Sequence, residues 1–129
     1  MTTTANDTTD STAHDLRAAY LDTWNATEPA GRRALLARHW APDASYVDPL
    51  ATATGTDELD ATIAAVQAQF PGFVFTALGE ADGHQRLVRF RWALGPAGAD
   101  AVVEGFDVLV TDGAGRIRQV LGFLDRVPG

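Results

Sequence analysis

The sequence predicts an α+β domain, and three observations make that prediction. Apolar residues recur at helical spacing through roughly the first 70 positions, and beyond Pro71-Gly72 the period drops to two. Turn-forming clusters "EADGH", "GPAGAD" and "DGAGR" cut the second half into four short runs. Helices gathered at one end and strands at the other argue for α+β rather than alternating α/β.

The first helix is expected over residues 13–26. Leu16, Ala19, Tyr20, Thr23 and Trp24 form its apolar face, Asp15, Arg17 and Asp22 lie off it, and Ser11 or Thr12 can cap it. "NATEPAGR" ends it. A second helix covers 30–40, with Leu35, Leu36, His39 and Trp40 on one side and Arg32, Arg33 and Arg38 elsewhere. "APDA" is expected to break it before a brief strand at 44–48. A third helix runs over 57–69, where Thr56 is the expected N-cap and Asp57 and Glu58 suit the positive end of the dipole. Leu59, Ile63, Val66 and Phe70 make its stripe. Strands follow at 73–79, 85–95, 102–111 and 116–125, as an antiparallel meander.

Composition narrows the function. The hydrophobic fraction is 46%, the charged fraction 21%, the net charge −7 and the pI about 4.7. Phosphate-backbone binding does not suit that charge, so nucleic acid is excluded as a partner. With no Lys there is no Schiff-base chemistry, and with no Cys no disulfide, thiol nucleophile or thiolate metal site. "MTTTANDTTDST" lacks the basic and apolar regions of a signal peptide, and no apolar run approaches the roughly 18 residues of a membrane helix. The expectation is a cytoplasmic protein: a flexible Thr-rich tail over residues 1–11, then a single domain over 12–129.

Three polar groups stand on otherwise apolar surfaces. In 102–111 one face carries Val102, Glu104, Phe106, Val108 and Val110, and the other Val103, Gly105, Asp107 and Leu109. Both faces are mostly apolar, so this strand is expected to be central and covered on both sides. Asp107 then has no basic partner on its own face, and desolvation should raise its pKa. Tyr20 stands on the first helix and Asp48 where the first strand ends. Each has a plainer reading: Tyr20 as core packing, Asp48 before Pro49 as a turn residue. If the helices pack over one face of a curved sheet, all three converge on one cavity.

Other motifs carry less. His14, His39 and His84 show no metal-ligand spacing, and no metal site or cofactor is expected. His84 reads as an exposed turn residue, whereas His39 beside Trp40 could reach the cavity. Arg89 and Arg91 read as an ion-paired stripe. Trp24, Trp40, Phe90, Trp92, Phe106 and Phe123 suit the lining of an apolar cavity, although an aromatic core is the default reading.

The order helix, helix, strand ending "YVDPLA", "GTDEL" helix and a meander ending "FDVLVTDGAGRIRQVLGFLD" resembles the nuclear transport factor two-like superfamily over about residues 12–127. The resemblance implies a cone-shaped, cystatin-like fold, in which three N-terminal helices and a curved antiparallel sheet enclose a cavity. Within it the chain is most similar to the ketosteroid isomerases and the SnoaL-like polyketide cyclases. The isomerase pattern implies that Asp48 is a catalytic base, that Tyr20 in "AAYLDTW" is an oxyanion donor, and that Asp107 in "FDVLVTDGAGRI" is a protonated second donor, a role that is a known example for these enzymes. Where those isomerases support their Tyr with further tyrosines, this chain has Trp40 and Ile63, so that network is reduced. An epoxide-hydrolase reading fits less well, because the strand carrying Arg89 and Arg91 offers no interior Asp.

The expected activity is proton transfer beside a carbonyl of an apolar polycyclic substrate, with Trp24, His39, Trp40, Ile63, Phe90, Trp92 and Phe123 around it. The alternative is a non-catalytic domain that binds a small apolar or aromatic molecule or serves to dimerise. A homodimer through the exposed face of the meander is expected from the two-sided character of 102–111 and from Val120, Gly122 and Leu124 on one side of the last strand.

Overall fold

The computed structural model describes residues 10–128. The expected tail therefore lies outside the described residues as far as residue 9. The elements are α1 (Asp10–Asn25), α2 (Pro29–His39), β1 (Trp40–Val47), β2 (Thr52–Thr54), α3 (Thr56–Gln69), β3 (Phe73–His84), β4 (Leu87–Pro96), β5 (Val103–Thr111) and β6 (Ile117–Arg126). All six strands form one sheet, in the order β2-β1-β6-β5-β4-β3.

The sheet is mixed rather than antiparallel. From β3 to β6 it is the expected meander, but β1 runs parallel to β6, with Tyr46 opposite Val120 and Val47 opposite Leu121. Strand periodicity says nothing about pairing between segments some 70 residues apart.

Several boundaries moved. α1 starts at Asp10, so Ser11 and Thr12 lie inside the helix and neither is its N-cap. Trp40 does not continue α2: its backbone is already extended (φ −116°, ψ 145°), and it opens β1. "APDA" belongs to the same strand, because the register shift between Trp40 and Ser45 accommodates Pro42. The three-residue β2, not foreseen, pairs back on β1 after the turn at Asp48-Pro49. "EADGH" is not the turn after β3. An irregularity between Leu78 and Asp82, with Gly79 at φ 61°, carries the strand on to His84, and the chain reverses at Gln85-Arg86, where Gln85 has φ 50°. His84 is exposed at that end. The N-cap of α3 is Gly55, not Thr56, at φ 85°, a conformation that favours glycine.

Alternation on the meander sorts an inner face from an outer one. On β5, Val103, Gly105, Asp107, Leu109 and Thr111 are buried, and the residues between them are half-buried. Only one side of β5 is thus fully covered within the chain. Val120, expected on an exposed side of β6, is fully buried, and Leu124 packs against the core. The outer face instead carries Phe106 and Phe123, together with the expected ion-paired stripe: Arg89 with Asp82 at 2.9 Å and Arg91 with Glu104 at 3.1 Å.

The helices close the inner face. α1 lies along β3, and α3 reaches the β1–β2 hairpin. Two arginines expected on outer helix faces are buried: Arg17 donates to the carbonyls of Leu78 and Gly79, and Arg32 is paired with Asp60. Among the described residues no helix is long and apolar enough to cross a membrane.

Candidate functional site

One row of residues crosses four strands on the inner face. Phe90 on β4 is opposite Asp107 on β5, and Asp107 is opposite Gly122 on β6. Because Val47 pairs with Leu121, Asp48 follows at the level of Gly122. A Cβ placed on Gly122 would lie 2.9 Å from Asp107 Oδ1 and 3.2 Å from the Asp48 Cβ. The missing side chain lets the two acids flank one backbone carbon. A second glycine does similar work: the Trp92 ring lies where a Cβ on Gly105 would be, only 2.2 Å from its Cζ2.

Tyr20 comes down from α1 onto this row. Its hydroxyl donates to Asp107 Oδ2 at 2.6 Å, while its ring stacks on Trp40 (centroids 5.6 Å apart) and meets Phe90 edge-on at 5.3 Å. Asp107 is 2% exposed, with no cation beside it. Burial pushes its carboxyl up to about 6, the Tyr20 hydrogen bond and the nearby Trp92 N–H hold it back, and the negative charge of Asp48 adds to the rise. The Tyr20 hydroxyl is raised well above its ordinary value, first by burial and then by the Asp107 charge.

Asp48 satisfies both readings of its sequence position. Its Oδ1 accepts the backbone N–H groups of Leu50 and Ala51, both at 2.8 Å, in the turn that leads into β2. Its Oδ2 accepts the Tyr46 hydroxyl at 2.5 Å and lies at the cavity wall. Burial, with the Asp48 hydrogen bond behind it, raises the Tyr46 hydroxyl strongly, so Tyr46 stays a neutral donor.

Tyr20, Tyr46 and Asp48 line a cavity of about 490 Å³, within the range of small-molecule sites. Tyr20, Trp24, Tyr46, Asp48, Phe75 and Trp92 contribute to its wall, with Leu94 and Leu124 among the aliphatic residues. None of the lining side chains is cationic. Among the described residues no group of three His, Cys, Asp or Glu side chains is placed to hold a metal ion.

The structure separates the predicted residues into three sets. Tyr20, Asp48, Trp24 and Trp92 line the cavity, and Asp107 stands directly behind Tyr20. Trp40, Ile63 and Phe90 are fully buried and support the wall without lining it. His39 and Phe123 do not belong to the site. His39 is half-buried at the end of α2, outside the lining. Phe123 follows the inward-facing Gly122, so alternation turns it outward, where it is 57% exposed.

Three participants were missed. Tyr46 lies two residues before Asp48, hence on the same strand face, and a period-two reading could have found it. Phe75 faces the cavity from β3. Gly122 had no signal, since its importance comes from cross-strand register alone.

The SnoaL-like domain model matches residues 18–120. A solved SnoaL-like family structure from Agrobacterium tumefaciens str. C58, described as an inferred isomerase, shares 37% identity at a TM-score of 0.86, covering 89% of this chain and 98% of that one. An inferred ketosteroid isomerase from Kribbella flavida (19% identity, TM-score 0.65, 93% and 82% covered) and an inferred polyketide cyclase from Sinorhizobium meliloti (18%, 0.65, 86% and 94%) share the fold. No curated protein matches the chain significantly. The family match across the cavity-forming elements, with a relative above one-third identity over nearly its whole length, places this chain in the SnoaL-like family of the nuclear transport factor two-like fold.

Proposed function

We propose that the cavity takes up a flat, apolar carbonyl compound and moves a proton on the carbon beside the carbonyl. The observation that supports this is that Asp48 and Asp107 flank Gly122, with Tyr20 bonded to Asp107, and that Tyr20 and Asp48 line a largely apolar cavity. Asp48 takes the proton through Oδ2, the oxygen not used by the turn. Tyr20 donates to the carbonyl oxygen as it gains enolate charge. Asp107 acts behind Tyr20 rather than beside it. Once protonated, it donates to the Tyr20 oxygen and frees the Tyr20 proton to face the ligand. Isomerisation and aldol ring closure share this first step.

The test is deuterium exchange at the activated carbon of 2-tetralone in D₂O, followed by proton NMR. The protein should accelerate exchange, and Asp48→Asn should remove roughly 10²- to 10⁴-fold of that acceleration. Equal rates for the two proteins would overturn the reading. A binding-only function is the second reading, favoured by the three hydrogen bonds that Asp48 already accepts. Quenching of tryptophan fluorescence by 2-naphthol without any exchange of 2-tetralone would select it. For the outer sheet face the proposed partner is a second copy of the chain, seated on Phe106 and the exposed Phe123. A monomer mass by light scattering at micromolar concentration excludes that dimer.

A further inference from the structure

Three tryptophans stand near the site, and their indole N–H groups differ in one respect. Trp40 Nε1 donates to Thr23 Oγ1 at 3.2 Å. Trp24 Nε1 and Trp92 Nε1 are buried and have no acceptor, the only such side-chain atoms among the described residues. An indole N–H can only donate, and leaving one buried and unpaired costs about 1–3 kcal/mol. Phenylalanine would fill an apolar wall without that cost. Both tryptophans line the cavity, at 4% and 8% exposure. Trp24 lies 6.3 Å from the Tyr20 ring, and Trp92 covers Gly105, two residues from Asp107 on the same face of β5.

We infer that Trp24 and Trp92 are reserve donors, which engage when a ligand oxygen draws the Tyr20 proton away from Asp107. The Trp92 N–H then takes the place of Tyr20 on the Asp107 carboxylate, and the Trp24 N–H bonds the Tyr20 oxygen. No covalent bond changes; one hydrogen bond is exchanged for two others and the new contact to the ligand. Both are positioning residues, acting through Tyr20 and Asp107. Even before engagement, the Trp92 N–H is near enough to favour ionised Asp107, and the Trp24 N–H to favour ionised Tyr20.

The handover has a consequence for pH. Without Trp92, Asp107 could release the Tyr20 proton only by becoming protonated itself. Binding would then weaken tenfold for each pH unit above the Asp107 pKa. With Trp92, binding persists while Asp107 is ionised. The groups facing Asp107 are Tyr20 from α1, Tyr46 from β1 and Asp48 from the turn after it, whereas β4 and β6 present Phe90 and Gly122 in its row. Burial raises Asp107 itself to about 6, inside the range over which binding is compared.

The inference rests on the proposed binding of a flat ligand oxygen at Tyr20, and the experiment separates the two. Nitrogen-15 NMR resolves the three indole signals of the intact protein, and 2-naphthol is the probe. On saturation the Trp24 and Trp92 N–H protons should move downfield, while that of Trp40 stays in place. The 2-naphthol affinity should be nearly constant between about pH 5 and 8, and in Trp92→Phe it should fall tenfold per unit above the Asp107 pKa. Stationary Trp24 and Trp92 signals in a saturated protein, or the same pH profile in both proteins, would overturn the handover and leave ligand binding intact. Failure of 2-naphthol to bind would remove both proposals. If Trp92→Phe does not fold, the indole shifts of the unaltered protein still decide.

Discussion

Asp60 and Asp107 are both carboxylates drawn into the protein, and their surroundings treat them in opposite ways. Asp60 on α3 meets Arg32 of α2 at 2.5 Å and Arg33 at 3.5 Å. Arg32 also donates to Ala26 O and Gln67 Oε1, and Gln67 returns hydrogen bonds to the carbonyls of Trp24 and Ala26. Burial alone would raise the Asp60 carboxyl, but the two guanidiniums hold it below its ordinary value. Asp107 has no cation to offset desolvation and is pushed up instead. The acid between the helices is neutralised by charge, whereas the acid raised towards neutrality stands behind Tyr20 at the cavity wall. That contrast identifies the site more sharply than any motif does.

Four substitutions test the contrast, from the largest expected effect to the smallest. Asp60→Ala leaves Arg32 buried without its counter-charge and should cost about 4 kcal/mol. Thermal unfolding should show a Tm lower by roughly 10 to 15 °C. A loss under about 1 kcal/mol would mean that water replaces the pair, and the two acids would no longer be opposites.

Asp107→Asn should change the pH dependence of stability. A folded-state value of about 6, against an ordinary 3.8, means that the folded protein holds this proton more tightly than the unfolded chain. The contribution is fully present below about pH 4 and is lost as pH rises through 6, a change on the order of 3 kcal/mol. The Asn variant should lack that decline. Urea midpoints of both proteins across the range measure it as a difference, and parallel curves would place the Asp107 value near that of free Asp.

Gly122→Ala inserts a methyl group between the two acids and should cost about 2 kcal/mol, with loss of 2-naphthol binding. Alanine at Gly113, whose nearest neighbour is an Arg86 side-chain nitrogen 3.7 Å away, is the matched control and should change neither. Equal behaviour of the two variants would remove Gly122 from the site. Tyr20→Phe deletes one buried hydrogen bond and should cost about 1 kcal/mol. Since the Tyr20 hydroxyl favours ionised Asp107, its removal should move the Asp107 titration above about 6. Carbon NMR of labelled carboxyls reads that shift, and a downward move would reverse the assigned direction of the bond.

Much of this was legible in the chain itself, because local periodicity follows from backbone geometry. The three helices, the four meander strands and the isolation of Asp107 among Val103, Gly105 and Leu109 are consequences of spacings of 3.6 and 2. The same periodicity, followed from Asp48 back to Tyr46, would have added another site residue. What it could not supply was register between distant segments. The parallel pairing of β1 with β6 sets Asp48 beside Gly122 and opposite Asp107. Periodicity also left open which face of β6 turns inward: Val120 does, contrary to expectation, and Phe123 does not. Nor could sequence tell that Arg32 would be buried against Asp60 while Asp107 was left without a cation. Individual residues carry their hydrophobicity and conformational preference with them. Which charge faces which depends on how whole elements pack, and only the tertiary structure decides that.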